Sequence, residues 1–156
     1  MSEQNWDTYF FRLVAAAASK SKDRSVKVGA AIVGPDNAIR SLGFNGFPRG
    51  VNDDAAERHE RPVKYLWTEH AERNAIYNAA RTGIPLVGCS IYLDWYPCAR
   101  CARAIIQAGI VEVVLDGRGS DEKEVAWRGR WSDDIDVAVE MLAEAGVAIR
   151  ISNPQK

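Results

Sequence analysis

The sequence TEHAERNAIYNAARTGIPLVGCSIYLDWYPCARCARAIIQAGIVEVVL, residues 68–115, alternates helical and strand patterns and decides the fold. Its alanine and apolar spacing predicts a helix over Thr68–Thr82, with Thr68 as the N-cap and a glycine and a proline just beyond the end. The pattern then predicts a strand at Ser90–Leu93, a helix at Ala99–Ala108 and a strand at Val111–Leu115. This order indicates right-handed crossovers between strands of one sheet.

The residues before this stretch predict a helix followed by a hairpin. Apolar residues recur every three or four positions between Gln4 and Ser19, which is typical of an amphipathic helix. Two apolar segments, Val28–Gly34 and Ala38–Phe44, flank Pro35-Asp36-Asn37, a turn sequence, and so predict an antiparallel hairpin. Residues 45–64 show no clear periodicity and predict a long loop, a feature that often carries function.

The C-terminal third predicts one more helix and a fifth strand. The helix is expected at Asp134–Ala145 and the strand at Val147–Ile151. The polar segment Asp116–Ser132 is interpreted as an irregular excursion. Its residues Trp127 and Trp131 either cover a site as a lid or lie at a subunit interface, where tryptophan is enriched.

These elements predict an α/β fold, a three-layer α/β/α sandwich with a five-stranded mixed sheet. A chain of 156 residues with 47% hydrophobic composition has the size and the core of one domain. We therefore expect a single domain over residues 1–156.

The charge balance limits the classes of partner. The chain has 20 basic and 21 acidic residues and a formal net charge of −1, which favours a small substrate over long nucleic acid. The N-terminus lacks the pattern of a signal peptide, and no apolar run reaches transmembrane length. We expect a cytoplasmic protein with no membrane partner.

Two short motifs contain the residue types of a metal site, His70-Ala71-Glu72 and Pro97-Cys98-Ala99-Arg100-Cys101. Cysteines three apart in a first helical turn project from one face, and the positive helix N-terminus favours their thiolates. His70, Cys98 and Cys101 would supply three ligands to Zn²⁺ and leave the fourth tetrahedral position open, as in catalytic sites.

Glu72 is the candidate catalytic residue. A carboxylate that is not a ligand can accept a proton from an activated water and pass it to a leaving group. The combination of His-x-Glu with Pro-Cys-x-x-Cys is the signature of zinc deaminases of nucleobases. On a regular helix, however, a separation of two positions does not by itself bring Glu72 to a metal on His70. A Cys-x-x-Cys pair alone also occurs in redox pairs and closed structural zinc sites.

Other stretches resemble the cytidine and deoxycytidylate deaminase superfamily, and most of all the deoxycytidylate (dCMP) deaminases. With the zinc motif, they cover most of the chain between residues 19 and 114, and they are Ser19–Asp23, Lys27–Ala30, Gly43–Gly50 and Ala104–Ile110. The resemblance implies a cytidine deaminase-like fold and a homo-oligomer. It also implies hydrolysis of dCMP to dUMP and ammonia, with zinc-bound hydroxide attacking C4 and Glu72 moving the protons.

The resemblance further implies contacts with a nucleotide. Asn45 is expected to contact the sugar, although Asn45-Gly46 could instead form a hairpin turn. The backbone near Ala71 would bind the pyrimidine edge. Arg24, Lys27 and Arg49 are candidate phosphate contacts because they lie beside the matching segments. Arg49 is favoured because a guanidinium binds phosphate through two hydrogen bonds. Trp95 either stacks on the base or packs in the core.

Two alternatives remain open at this point. Arg73 stands where many members have a neutral residue, so the substrate could be a free base, a nucleoside or another aminated heterocycle. In a different class, the zinc could merely stabilise a non-catalytic binding module.

Two further expectations concern other residues. Glu69 is expected to be solvated. A complete second zinc site is not expected, because only His59 and Cys89 are left as soft ligands.

Overall fold

The computed structural model describes residues 5–118 and 120–154, with only the backbone described for residues 120–131. Its elements follow the predicted order, with a short 3₁₀ helix added inside the predicted long loop and a single helical turn added at the end of that loop. The elements are α1 (Trp6–Ala18), β1 (Gly29–Val33), β2 (Ile39–Phe44), the 3₁₀ helix (Ala56–His59), α2 (Lys64–Trp67), α3 (Ala71–Thr82), β3 (Ser90–Leu93), α4 (Ala99–Gln107), β4 (Glu112–Asp116), α5 (Ser120–Glu144) and β5 (Ala148–Ser152).

The five strands form one mixed sheet in the order β2-β1-β3-β4-β5. The strand β1 is antiparallel to both of its neighbours, and β3, β4 and β5 are parallel to one another. In this register Ala30 of β1 lies opposite Gly43 of β2 and Leu93 of β3. The predicted five-stranded mixed sheet and its hairpin are confirmed.

Helices cover both faces of the sheet. As a consequence, every residue of the inner strand β1 is buried. On one face, α1 packs against the sheet through a cluster made of Phe10, Phe11, Val14, Ala31, Val33, Tyr92 and Val114. On the other face, α3, α4 and α5 pack through a larger cluster that includes Ala71, Ala75, Ala102, Ile105, Ala138 and Leu142. The predicted three-layer α/β/α arrangement is confirmed.

The first turn of α3 is pressed closely against the edge strand β2. A Cβ added to Gly43 would lie closer than 3.0 Å to backbone atoms of Ala71 and Ala75, so only glycine fits there. Beside it, the Ser41 hydroxyl donates to the Ala75 carbonyl at 2.7 Å. These contacts set the position of the residues at the start of α3.

The prediction of an irregular excursion over Asp116–Ser132 is wrong, because α5 already begins at Ser120. The excursion has no apolar stripe and contains Gly129, so its pattern does not indicate a helix. The second half of α5 is anchored through buried Ile135 and Leu142, and helix propagation from an anchored segment costs little. The side chains of Trp127 and Trp131 lie outside the described residues. In the described ranges, even this long helix is not apolar enough to cross a membrane.

Candidate metal centre and active site

The structure brings the three predicted ligands together at the N-termini of two helices. His70 is the N-cap of α3, Cys98 is the N-cap of α4, and Cys101 lies in the first turn of α4. The His70 Nδ1 atom lies 3.6 Å from the Cys98 sulfur and 3.5 Å from the Cys101 sulfur. All three ligand atoms lie within 4.8 Å of one another.

These separations fit a tetrahedral zinc ion. With Zn–S distances of about 2.3 Å and Zn–N distances of about 2.0–2.1 Å, tetrahedral angles place nitrogen and sulfur roughly 3.5 Å apart. Two sulfurs and one imidazole are donors that zinc prefers, and three protein ligands leave one position for a small molecule. Among the described residues this is the one group of three such side chains close enough to hold a metal.

The backbone at His70 differs from the sequence prediction. Thr68 is not the N-cap of α3, because the helix begins at Ala71 and His70 occupies the N-cap position. Thr68 and His70 both have extended backbone. Cys98 is likewise extended, and Pro97 precedes the cap and is not the first helical residue. The side chains of His70 and Cys98 are therefore directed by non-helical backbone, while both helix N-termini point their partial positive charge at the cluster.

Glu72 lies beside this cluster, which its spacing from His70 did not predict. Because His70 is outside the helix, the angle between successive helical side chains does not separate the two residues. The side chain of Glu72 is buried, and burial raises its carboxyl pKa. The charge of His70 and a hydrogen bond with Cys101 act in the opposite direction.

The two thiols and the imidazole share protons within the cluster. Hydrogen bonding from Cys101 lowers the pKa of the Cys98 thiol to about 3, with a further contribution from His70. The hydrogen bond with Cys98 in turn raises the pKa of His70. Because metal ligands must be deprotonated, a zinc ion that enters the cluster displaces these shared protons.

Glu69 is not the solvated residue that the sequence suggested. Its carboxylate accepts the His70 backbone N–H at 3.0 Å and forms an ion pair with Arg73. Its backbone pairs with Gly46 through two hydrogen bonds of 3.0 and 2.8 Å. The acid and base at Glu69 and Arg73, four positions apart, were a signal of this pairing that the sequence analysis did not use.

Asn45 is buried and connects two neighbouring backbone segments. Its side-chain oxygen accepts the Val28 N–H at 2.9 Å, and its side-chain nitrogen donates to the Val26 carbonyl at 2.9 Å. The alternative that Asn45-Gly46 forms the hairpin turn is wrong, since the hairpin turns where the Gly34 N–H donates to the Ala38 carbonyl.

The other predicted substrate contacts lie in three different parts of the structure. Ala71 is buried and is the first residue of α3. In the sequence it lies between His70 and Glu72. Trp95 lies in the connection between β3 and α4, just before the cysteine motif. The Arg49 guanidinium donates to the Asn78 side chain, so in this conformation it lies two turns along α3 and is not brought to the cluster.

The residues on either side of the Gly46–Glu69 pair also line a cavity of about 230 Å³, which the sequence did not predict. Phe47 in its wall stacks on His59, with ring centroids 4.8 Å apart. The other lining residues are Lys20, Lys22, Asp23, Phe44, Gly46, Asp53 and Thr68. The long loop thus forms one wall of a cavity next to the segment that leads into His70.

Known proteins share both the sequence and the fold of this chain. A family model described as "Cytidine and deoxycytidylate deaminase zinc-binding region" matches residues 4–116. A protein of Aliivibrio fischeri named "Uncharacterized deaminase in luxG 3'region" is 42% identical over 144 residues, 92% of this chain and 91% of that protein. Human deoxycytidylate deaminase is 41% identical over 115 residues, 70% of this chain, and this chain spans 64% of that enzyme.

A solved structure agrees with the fold. The crystal structure of dCMP deaminase from the cyanophage S-TIM5 in apo form superimposes with a TM-score of 0.69. The match covers 94% of this chain and 96% of that chain at 21% identity, so it establishes the cytidine deaminase-like fold. His70, Cys98 and Cys101, which could hold a metal ion, lie within the matched zinc-binding region, and zinc is the cofactor. The chain therefore belongs to the cytidine and deoxycytidylate deaminase family and is a zinc-dependent deaminase.

Proposed function

We propose that residues 1–156 form one deaminase domain that hydrolyses dCMP to dUMP and ammonia. The observation that carries this proposal is the buried Glu72 carboxyl group beside the cluster of His70, Cys98 and Cys101. The substrate is supported by relatives named "Deoxycytidylate deaminase", which are 41% identical over 70% of this chain.

In this proposal His70, Cys98 and Cys101 hold the zinc ion. When bound, zinc would supply a Lewis acid that makes water a stronger nucleophile near neutral pH. Glu72 accepts a proton from the attacking water and delivers it to the ring nitrogen. It then takes the second proton from the hydroxyl group now bonded to C4 and delivers it to the amine, which leaves as ammonia. Burial favours the protonated carboxyl group, so Glu72 holds the proton between these two steps.

Two of the proposed nucleotide contacts are N–H groups that could donate a hydrogen bond to the substrate, and the third is an aromatic ring. The N–H of Ala71 lies in the first turn of α3, where backbone N–H groups have no partner within the helix, and it would bind the pyrimidine edge. The Asn45 amide has two N–H donors and uses one on Val26, which leaves the other for a sugar hydroxyl. Trp95 would stack on the base from the connection before Cys98.

Arg49 is the proposed phosphate contact. Its side chain is exposed, and its contact with Asn78 joins a cation to a neutral amide, which a phosphate dianion would outcompete. The side chain would have to leave Asn78 to reach a nucleotide bound at the metal. That observation also favours one alternative, a base, a nucleoside or another aminated heterocycle that carries no phosphate.

A substrate panel separates these functions. Cytosine, cytidine, deoxycytidine, CMP and dCMP are compared by ammonia release at equal concentration, with zinc content measured in the same preparation. We expect the highest kcat/KM with dCMP. If dCMP gives no more turnover than the unphosphorylated compounds, the dCMP assignment is wrong and the alternative takes its place.

We also propose that the chain forms a homo-oligomer. Large apolar side chains of α2 and of Val63, the residue before it, are exposed. The most exposed of them is Leu66, at 88%. Burial of such residues between subunits would be favourable. Mass measurement by light scattering tests this proposal, and a monomeric mass across micromolar concentrations would contradict it.

A further inference from the structure

The start of α4 carries two of the three proposed zinc ligands, yet its cap comes from another helix. Cys98 occupies the N-cap position and forms no side-chain capping hydrogen bond. The Asp134 carboxylate of α5 instead accepts the backbone N–H of Ala99, at 3.3 Å. This N–H belongs to the peptide group that joins Cys98 to Ala99.

That hydrogen bond acts on the backbone that aims the Cys98 sulfur. The peptide group is planar, so fixing the direction of the Ala99 N–H fixes the ψ angle of Cys98, which is 167°. Oxygen side chains usually cap a helix N-terminus, and the Cys98 side chain makes no capping hydrogen bond here. A carboxylate is also favoured at this end of the helix dipole.

Asp134 is itself held in place by the core. The next residue, Ile135, is 4% exposed, and Ala138 and Leu142 on the same helix are fully buried in the cluster shared with α4. The first described turn of α5 side chains is therefore fixed against α4. The Asp134 carboxylate thus reaches the Ala99 N–H from a fixed helix, with no flexible segment between them.

We propose that Asp134 is a positioning residue of the metal site. It orients the Cys98–Ala99 peptide and so holds the sulfurs of Cys98 and Cys101 at the separation that zinc requires. The relevant property is its hydrogen-bond acceptor, since its negative charge would repel the thiolates. An asparagine at position 134 keeps the acceptor and is expected to keep the function.

Zinc affinity tests this role directly. Asp134→Ala, Asp134→Asn and the control Asp133→Ala, which changes the exposed neighbouring acid, are titrated with zinc against a chromophoric chelator. Loss of a group that orients metal ligands lowers affinity by roughly 10-fold to 100-fold. We expect a loss of at least roughly 10-fold for Asp134→Ala, and values within about 3-fold of wild type for the other two variants.

Two further readouts separate positioning from general stabilisation. The cobalt-substituted Asp134→Ala protein should show altered thiolate-to-cobalt absorption, with the wild-type spectrum retained in Asp134→Asn. The rise in Tm on adding zinc should shrink in Asp134→Ala, whereas a purely structural cap would lower the Tm of the apo and zinc forms equally. If Asp134→Ala does not fold, Asp134→Leu, which also lacks the acceptor and is closer to aspartate in size, carries the same expectations.

Unchanged zinc affinity and an unchanged cobalt spectrum in the variant lacking the acceptor would overturn this role. Equal weakening in Asp134→Ala and Asp133→Ala would do the same. The inference rests on the proposed ligands, but the two can fail separately. A wild-type protein that binds no zinc contradicts the ligand assignment. Equally tight zinc binding by the wild type and by Asp134→Ala contradicts only the role of Asp134.

Discussion

The Glu69 carboxylate accepts the backbone N–H of His70 at 3.0 Å, and the Glu69 backbone pairs with Gly46. The backbone of the proposed histidine ligand is therefore held by this carboxylate. The extended backbone of His70 is a consequence of this pairing, because a strand-like residue at position 69 cannot also belong to the helix that follows.

Glu69→Ala should weaken zinc binding by roughly 10-fold, since the group that orients a metal ligand would be lost. Glu69→Gln keeps an acceptor for the His70 N–H but loses the charge that pairs with Arg73, so an intermediate loss is expected. Chelator competition measures both affinities, with the exposed Glu140→Ala as control. Wild-type affinity in Glu69→Ala would show that His70 is positioned without Glu69.

Gly43→Ala should lower the free energy of unfolding by about 3 kcal/mol or prevent folding, because overpacking against backbone is costly. The added methyl group would press on Ala71 and Ala75 at the start of α3. Gly46→Ala is the matched control, since nothing lies within 4 Å of its added Cβ. Urea denaturation gives both values, and equal stability of the two variants would refute the close approach.

Asp7 should contribute to stability in a defined pH range. Burial alone would raise its carboxyl pKa, but hydrogen bonds from Arg150, Ser152 and Tyr92 outweigh burial and lower the pKa from 3.8 to about 2. A pKa below that of the unfolded chain means that this stability is fully present above about pH 4 and is lost as the pH falls towards 2.

Asp7→Asn should therefore reduce the free energy of unfolding at pH 7 by about 1–2 kcal/mol, allowing for the solvent that screens half-exposed Arg150. The reduction should shrink as the pH falls from 4 to 2. Denaturant titrations across this range measure it, with the exposed Asp136→Asn as control. A loss that stays constant with pH would be inconsistent with the lowered pKa of Asp7.

Arg49→Ala should raise the KM for dCMP by roughly 10-fold to 100-fold, the range expected for loss of a charge-assisted hydrogen bond to phosphate. The KM for deoxycytidine should not change, since that substrate has no phosphate. Arg81→Ala removes another exposed arginine, at the end of α3, and serves as control. Equal effects on the two substrates would argue against a phosphate contact.

The sequence analysis predicted the metal cluster because its signals are local. Cysteine and histidine are rare in this chain, and the three-residue spacing of Cys98 and Cys101 suits one helical turn. The strands β1 to β5 were also predictable, since short apolar segments bounded by glycine, proline or Asx residues have few other interpretations.

Features that depend on tertiary contacts were not predictable in this way. The side chain of Asn45 binds backbone 17 and 19 positions away, and the start of α3 depends on the pairing of Glu69 with Gly46. Likewise, no local pattern connects Asp134 to Ala99, which are 35 residues apart. The predicted ligands were identified from local motifs, whereas these contacts join residues that are distant in the sequence.

The central claim is that this chain deaminates dCMP with zinc held by His70, Cys98 and Cys101 and with Glu72 moving the protons. Its most direct test compares wild type with Glu72→Gln, measuring dCMP turnover and zinc content in the same samples. We predict equal zinc content, about one ion per chain, and a loss of turnover of roughly 10³-fold or more, because the amide cannot transfer the proton. A Glu72→Gln protein that binds zinc and keeps more than about a tenth of wild-type turnover would contradict the account, since general acid–base catalysis is worth roughly 10²-fold at the least.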